Sequence, residues 1–232
     1  MDVDALLLTL RLATATTAVL MVAAIPLAWW IARGEGFRRG LIQALVALPL
    51  VLPPTVLGFY LLVVMGPMTA PGRTLIRLLG HPLAFSFGGL LVGSMLYSLP
   101  FAVQPLVAGF RAVDREYVEA AEGLGVRPRT VFFGVVLPMI RTSLLTSAVL
   151  TFTHTVGEFG VVLMLGGNIP GTTRTLSISL FNMVEDGRYA EANVTAASLV
   201  GVALLALLVI YLLPSARGLA ARLGGERGDV LG

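Results

Sequence analysis

The chain has 232 residues, of which 56% are hydrophobic and 12% are charged, and its mean hydropathy is +0.89. So little polar surface cannot cover a water-soluble particle of this size, which predicts one polytopic, all-α membrane domain over residues 1–232. The absence of cysteine excludes disulfides and thiolate chemistry, and a net charge of +3 is too small to indicate a nucleic-acid partner.

Five stretches are apolar enough, and long enough, to cross a bilayer, for which a helix needs about 20 apolar residues. They predict spans at about 6–32, 41–65, 84–108, 141–165 and 192–214. A sixth span stays open, either within the long second and third stretches or in 159–183 if that segment re-enters the membrane.

Arginine is distributed unevenly between the segments that connect the spans. Because cytoplasmic loops carry an excess of basic residues, this bias places the N-terminus outside and the C-terminus in the cytoplasm. The first residues are acidic where a cleaved signal peptide would be basic, so span one is expected to be retained. Eleven arginines are then cytoplasmic and four lie outside: Arg33, Arg38, Arg39, Arg111, Arg115, Arg127, Arg129, Arg141, Arg217, Arg222 and Arg227, against Arg73, Arg77, Arg174 and Arg188.

Span two contains three prolines, Pro49, Pro53 and Pro54. Each removes a backbone donor and frees a carbonyl, and irregular backbone survives in lipid only where it packs within protein or lines water. Two interpretations stay open, a kink needed for helix packing and a part of a translocation pathway or gate.

A charged island at 109–138 separates spans three and four. The residues before Gly125 are good helix formers, and Gly125 suits the left-handed turn that ends many helices. Ala120 and Ala121 offer a small flat patch, and Glu119 beside them is placed to pair with an arginine of another protein. A charged helical loop of fixed shape predicts a docking element for a water-soluble partner, with an ordinary solvated loop as the alternative.

Span four carries polar residues at intervals of three and four, which places them on one helix face. Such a stripe faces protein or water rather than lipid. The stripe either forms hydrogen bonds between helices or lines a translocation pathway. In a pathway, hydroxyls would donate hydrogen bonds to an anion without binding it as tightly as a full positive charge would. The stripe consists of Ser143, Ser147, Thr151, His154 and Glu158, with Thr155 beside it.

Glu158 needs separate treatment, because a charge deep in a bilayer costs about 2.5–3.5 kcal/mol on insertion scales and therefore requires a partner. Gly157 and Gly160 flank it and predict a local break in the helix. We expect Glu158 to hold this break near an outer gate, by pairing with an arginine or by accepting from backbone N–H groups.

Thr173, Arg174 and Thr175 lie in the predicted outer segment after span four. Arg174 either contacts an extracytoplasmic partner or a passing anion, or it is an exposed loop residue, and both interpretations stay open.

The charged island has a fixed internal spacing. Its elements are Glu119-Ala120-Ala121, Gly125, Val135 and Leu137-Pro138. This pattern resembles the signature loop of the membrane subunits of type I ABC importers, in which the loop forms a coupling helix that sits in a groove of the ATP-binding subunit. The resemblance implies the type I permease fold and makes the Glu-Ala-Ala triplet, the glycine and the closing Leu-Pro the residues that couple to the ATPase. Val135 stands where isoleucine is commoner, a conservative difference.

Within that family the chain is most similar to the permeases for tetrahedral oxyanions. They share the proline-rich segment 48–58 and Gly157-Glu158-Phe159-Gly160. The run from Asn168 through Ile-Pro-Gly to Thr173-Arg174-Thr175 most resembles molybdate permeases, with tungstate as the usual companion. Sulfate and thiosulfate permeases, which usually lack the Thr-Arg-Thr run, are the alternative.

The resemblance implies a bacterial or archaeal cell-membrane permease that forms a homodimer, docks two cytoplasmic ATP-binding subunits and receives molybdate from an extracytoplasmic binding protein. The chain itself is expected to bind no cofactor or metal and to catalyse nothing, with ATP and Mg used by the partner subunit. A phosphate-binding Gly-x-x-x-x-Gly-Lys-Ser/Thr loop requires a lysine, and the chain has none.

Two other classes of membrane protein are the alternatives to a permease subunit. An intramembrane zinc protease requires His-Glu-x-x-His, whereas the histidines here are His81 and His154, and no motif supports a serine nucleophile beside a base. A secondary transporter normally shows internal repeats and more spans, and no convincing repeat is present.

Overall fold

The computed structural model describes residues 2–225, with side chains described for 2–212 except 115, 117 and 122. The described chain is helical and contains no strand, which confirms the all-α prediction. Its α-helices are α1 (Val3–Ala32), α2 (Phe37–Ala47), α3 (Pro54–Met65), α4 (Ala70–Leu79), α5 (Phe87–Arg111), α6 (Arg115–Gly123), α7 (Pro128–Val131), α8 (Leu137–Met139), α9 (Arg141–Gly157), α10 (Gly160–Gly166), α11 (Leu176–Glu185) and α12 (Tyr189–Gly225). A short 3₁₀ turn (Leu48–Leu50) follows α2, and a π-helical stretch (Phe132–Val136) joins α7 to α8.

Three long helices, α1, α5 and α9, pack side by side and form the centre of the protomer. Small residues allow this close approach: Ala24 and Ala28 of α1 are fully buried. On α5, a Cβ added at Gly109 would lie 2.6 Å from the Cβ of Ser143 on α9. Without a hydrophobic driving force between helices in lipid, such close backbone contact is the main source of helix association.

A second layer is built from α3 and α10, which pack against each other and against α5. Glycine again sets the distance, since a Cβ added at Gly58 would lie 2.6 Å from the Cβ of Met164.

Among the described residues, three helices are long and apolar enough to cross a membrane: α1, α5 and the segment Tyr189–Leu212 of α12. Two bent pairs pass the same test together, Phe37–Leu50 with Pro54–Met65 at 109° and Pro128–Met139 with Arg141–Gly157 at 71°, so the count is three to five. The span predicted at 41–65 therefore runs across the first of these bends, whereas the span predicted at 141–165 begins after the second bend and is interrupted between Gly157 and Gly160. The segment 159–183, considered for a sixth span, contains the short helices α10 and α11.

Helix α12 lies largely outside the core of the protomer. Of its side chains between 189 and 212, only Ala192 and Thr195 are buried, whereas leucines such as Leu204 and Leu205 are exposed. This apolar surface is suited to lipid or another membrane-embedded subunit. Of the arginines used for the orientation, the side chains of Arg115, Arg217 and Arg222 and the whole of Arg227 lie outside the described residues.

Candidate functional site: a docking loop and a buried polar cluster

The docking loop predicted from the charged island begins with the helix α6. Asp114 precedes it, and its carboxylate accepts a hydrogen bond from the Glu116 backbone N–H at 3.2 Å, which satisfies one of the free donors at the helix start. At the other end, Gly125 has φ +74, so the left-handed turn predicted there is present. The Val126 N–H bonds to the Ala121 carbonyl at 3.3 Å across this turn, the pattern of a Schellman motif.

The two faces of α6 have different surroundings. Val118 and Ala121 are half-buried and pack against the core, and α6 lies against α7 and the π-helical stretch. Glu119 and Ala120 are exposed, and Leu124 beyond them is 84% exposed. The flat patch predicted from both alanines is therefore formed by Ala120 with the exposed Leu124, because Ala121 turns partly inward.

The segment that returns from α6 to α9 is anchored by the aliphatic residues of the motif. Val136 and Val131 are buried, while Val135 and Leu137 are half-buried and pack against the same core. Pro138 is exposed, next to the 71° bend between this segment and α9. The spacing of the motif thus places anchor residues inward and leaves the tip of the loop free.

An aromatic cluster ties this return segment to the long helices. The Trp29 ring of α1 packs edge-on against Phe110 of α5 at 5.0 Å and against Phe132 at 5.2 Å between ring centroids. Movement of the loop relative to α1 and α5 would have to disturb these contacts.

The polar stripe of α9 faces α5 and α1 rather than open space. Ser147 and Thr151 are fully buried. The Ser147 hydroxyl donates to the Ala102 carbonyl of α5 at 2.5 Å, and Thr151 donates to the Ser147 carbonyl at 2.7 Å. Thr155 donates to the Thr151 carbonyl at 2.9 Å. The Ser147 bond joins α9 to α5, as the first of the two interpretations requires, whereas the bonds of Thr151 and Thr155 stay within α9. A pathway role for the three hydroxyls stays a prediction.

His154 extends the stripe into a polar cluster with α5. Its Nδ1 lies 2.9 Å from the Ser98 Oγ, which is itself 3.0 Å from the Thr155 Oγ1. The imidazole stacks on Phe101 at 4.0 Å and contacts Tyr97 at 4.8 Å between centroids. A histidine held between two aromatic rings and a serine fixes the relative position of α5 and α9.

Glu158 is 4% exposed, and its carboxylate faces Ser94 and Tyr97 of α5. Neither of the partners predicted for it is found in the described part of the chain, since neither oxygen takes part in an ion pair or caps a backbone N–H. That part of the prediction is wrong for the described residues, in which both carboxylate oxygens are buried without a hydrogen-bond partner.

The break predicted at Glu158 is present, and it meets the break in span two. Helix α9 ends at Gly157, and α10 begins at Gly160. A Cβ added at Gly160 would lie 2.9 Å from both Cβ and Cγ of Pro54. The 109° turn between α2 and α3 is located at Pro53, which is extended at ψ 134. Pro49 is buried in the preceding turn, so the three prolines and the glycine break belong to one irregular region.

The loop with Thr173, Arg174 and Thr175 is held by its own side chains. The Arg174 Nε donates to the Asn168 Oδ1 at 2.6 Å, and Asn168 bonds to Asn182 of α11. The buried Thr173 hydroxyl donates to the Gly166 carbonyl at 2.6 Å. Thr175 is buried at the start of α11. Arg174 is thus a structural member of this loop, whatever else it contacts.

Residues 24–224 match the family described as the binding-protein-dependent transport system inner membrane component. The chain belongs to this family. The assignment to ABC-type permeases is thereby confirmed, and the protein is a multi-pass membrane component of a transport system.

Two curated relatives within this family bear on the substrate. The molybdenum transport system permease protein ModB of Azotobacter vinelandii is 50% identical over 223 residues, covering 96% of this chain and 97% of the relative. A probable sulfate transport system permease protein, cysT of Chlorella vulgaris, is 30% identical over 208 residues, covering 90% and 78%.

A solved structure shares the fold. The bacterial alginate ABC transporter, crystallised in complex with a periplasmic protein bound to an alginate pentasaccharide, matches with a TM-score of 0.66 over 90% of this chain and 75% of that one. At 16% identity, this likeness concerns the fold alone.

Sequence reasoning missed the α5 side of the polar cluster. Ser94 and Ser98 are four residues apart in an apolar span, a spacing that could have suggested a second stripe facing that of α9. Among the described residues, no group of three histidine, aspartate or glutamate side chains comes together.

Proposed function

We propose that the protein is the membrane-spanning permease subunit of an ATP-driven importer for molybdate, with tungstate as a companion substrate. The observation that carries the proposal is 50% identity, across almost the full length of both chains, to a molybdenum permease. The sulfate permease is more distant at 30%, so sulfate is the second candidate.

The assembly follows the architecture of such importers. Two copies of the chain form the translocation unit, two ATP-binding subunits dock at the cytoplasmic face, and an extracytoplasmic binding protein delivers the anion. The exposed apolar surface of α12 supports a role in contact with lipid or a second copy. The N-terminus is outside and the C-terminus cytoplasmic, which places α6 on the side of the ATPases.

Coupling is assigned to Glu119, Ala120, Ala121, Gly125 and the anchor Leu137-Pro138. Support comes from the fixed shape of the loop: Ala121 and Leu137 hold it to the core while Glu119 and Ala120 remain exposed. ATP and Mg act on the partner subunit, whose closure would move α6. The aromatic contacts of Trp29 and Phe132 would carry that movement to α1 and α5.

The gate is assigned to the irregular region where Pro53 and Pro54 meet the break at Glu158. Contact between two breaks, seen at Pro54 and Gly160, supports a hinge there, because neither helix has a continuous backbone ladder at that level. Three hydroxyls of α9 are buried in this structure, so they would line the pathway only after α9 separates from α5. These hydroxyls belong to Ser147, Thr151 and Thr155.

Reconstituted transport tests the proposal. The chain, its ATPase and its binding protein are placed in liposomes, and uptake of radiolabelled molybdate and sulfate is measured. ATP-dependent, orthovanadate-sensitive uptake in which excess molybdate competes better than excess sulfate is expected. A preference for sulfate would support the second candidate, and uptake driven by an ion gradient without ATP would refute both.

A further inference from the structure

A cavity of about 700 Å³ lies where the end of α1, the start of α2, the end of α5 and α6 come together. Three arginines line it: Arg33, Arg39 and Arg111. Glu119 is the single carboxylate among the described lining residues. Three guanidinium groups against one carboxylate leave two net positive charges in a concave site.

The guanidinium groups are held in place by neighbouring side chains. That of Arg33 lies 4.5 Å from the centre of the Trp29 ring, and that of Arg39 lies 5.2 Å from the Trp30 ring, both in cation–π contact. A Cβ at Gly34 would collide with the Arg39 guanidinium, so the glycine gives Arg39 room to fold back over the turn.

Among the described residues, none of these three arginines forms an ion pair, and the one carboxylate in the lining, Glu119, leaves the charge of the cavity unbalanced. Both ion pairs in that part of the chain belong to Arg188, far along the sequence, and Arg111 donates to the neutral Gln43 at 3.2 Å. Arginine forks preferentially bind planar or tetrahedral oxygen anions such as carboxylate and phosphate. Three arginines that outnumber the single lining carboxylate and form no ion pair with it are therefore suited to an external anion.

The surroundings of the cavity are those of a membrane interface. Phe37, two residues before the lining residue Arg39 on α2, is 85% exposed, and Leu41 and Leu45 continue the same exposed apolar face at intervals of four. Tryptophan at the end of a spanning helix with arginine beyond it is the usual composition of the headgroup region. An anion bound among the arginines could thus carry acyl chains along α2.

We propose that this cavity binds a phosphate-type tetrahedral oxyanion group, supplied by the headgroup of an anionic phospholipid in the cytoplasmic leaflet. A free oxyanion has the same chemistry and is the second source that the test distinguishes. Because Glu119 and Val118 of α6 line the cavity, its occupant contacts the docking loop. The cytoplasmic location depends on the proposed orientation, whereas the binding itself depends on neither the transported substrate nor the ATPase.

Trp29 and Trp30 are the two tryptophans of the chain, and both line the cavity, so tryptophan fluorescence reports on this site directly. The purified full chain in neutral detergent is titrated with brominated phosphatidylglycerol or brominated phosphatidylethanolamine, and quenching is recorded. The Arg33→Gln/Arg39→Gln variant is compared with the matched Arg73→Gln/Arg77→Gln variant on α4. Inorganic phosphate and molybdate are titrated into delipidated protein as the second arm.

Phosphatidylglycerol is expected to quench at lower concentration than phosphatidylethanolamine. Each arginine is expected to contribute about 1 kcal/mol, or about fivefold, to the preference for phosphatidylglycerol. The Arg33→Gln/Arg39→Gln variant should therefore lose about 25-fold of this preference, whereas the Arg73→Gln/Arg77→Gln control should keep it. A saturable response to phosphate or molybdate that only this variant loses would identify the free anion as the source. Equal quenching of the wild-type protein by both lipids with no oxyanion response, or equal loss in both variants, would overturn the proposal. If a variant fails to fold, the comparison of the two lipids on the wild-type protein still tests the proposal. The Arg33→Lys/Arg39→Lys variant should retain most of the preference for phosphatidylglycerol.

Discussion

Gly125 ends the docking helix α6 in a left-handed conformation, φ +74, and its replacement by alanine isolates the effect of that turn. A Cβ at this position meets nothing within 4 Å, so no clash contributes. The cost comes from the backbone alone and is about 1–2 kcal/mol for an L-residue in this region. Since the turn lies at an exposed tip, the rest of the fold is expected to be unaffected.

If the loop docks in the observed conformation, this cost reduces the competent population by about 5- to 30-fold. The affinity of the purified ATPase subunit for the nanodisc-embedded protein is expected to fall by up to the same factor, with a parallel loss of ATP-driven uptake. Biolayer interferometry measures the first and liposome uptake the second. Gly125→Asn should fall between alanine and wild type, because asparagine tolerates the left-handed region better than alanine does.

Gly123 supplies the matched control. It lies within α6 two residues earlier, its φ is not positive, and an added Cβ again meets nothing within 4 Å. Gly123→Ala should bind the ATPase as wild type does, since alanine favours a helix by up to about 1 kcal/mol over glycine. If Gly125→Ala and Gly123→Ala bound the ATPase equally well, the reasoning would be refuted, because docking would then not depend on the left-handed turn.

Three further changes test the membrane region. Glu158→Ala is expected to lower molybdate uptake and Glu158→Gln to retain more of it, since glutamine keeps the volume and hydrogen-bonding capacity of the buried group; full uptake in both would contradict a role at the gate. Gly109→Ala should lower the free energy of unfolding in detergent by about 1–3 kcal/mol, because the added methyl group pushes α5 away from α9. Gly134→Ala is the control, since the space around Gly134 is open, and it should leave the stability unchanged. Equal melting temperatures of the two variants would count against this packing. Ser147→Ala should lower the free energy of unfolding by about 0.5–1.5 kcal/mol, because it removes the hydrogen bond to α5. Thr153→Val is the control, since it removes a hydrogen bond that lies only within α9. Loss of uptake at unchanged stability would favour the pathway interpretation instead.

The docking loop was the part best predicted from sequence, because its features are local. A glycine after a helix-forming stretch predicts a left-handed turn wherever it stands, and Gly125 adopts one. The same holds for the break at Glu158 between Gly157 and Gly160. Local sequence does not determine which of the two alanines faces outward. Ala121 turns inward because it packs against the core.

The polar stripe illustrates the opposite case. Periodicity placed Ser147, Thr151 and Glu158 on one face of α9, but periodicity alone does not say what that face contacts. The structure places α5 there, and the Ser147 hydroxyl bonds to a carbonyl 45 positions away in the chain. An arginine or a backbone donor was expected beside Glu158 from its charge, yet the neighbours are Ser94 and Tyr97.

The sequence by itself determined that this is a helical membrane protein with a structured loop of fixed spacing, because hydropathy, glycine conformation and motif spacing are properties of neighbouring residues. Only the tertiary structure decided that the prolines of span two meet the break in span four. It also decided that Arg33, Arg39 and Arg111 share one cavity. Both are contacts between segments distant along the chain, and they depend on the crossing of helices, which no local pattern of residues specifies.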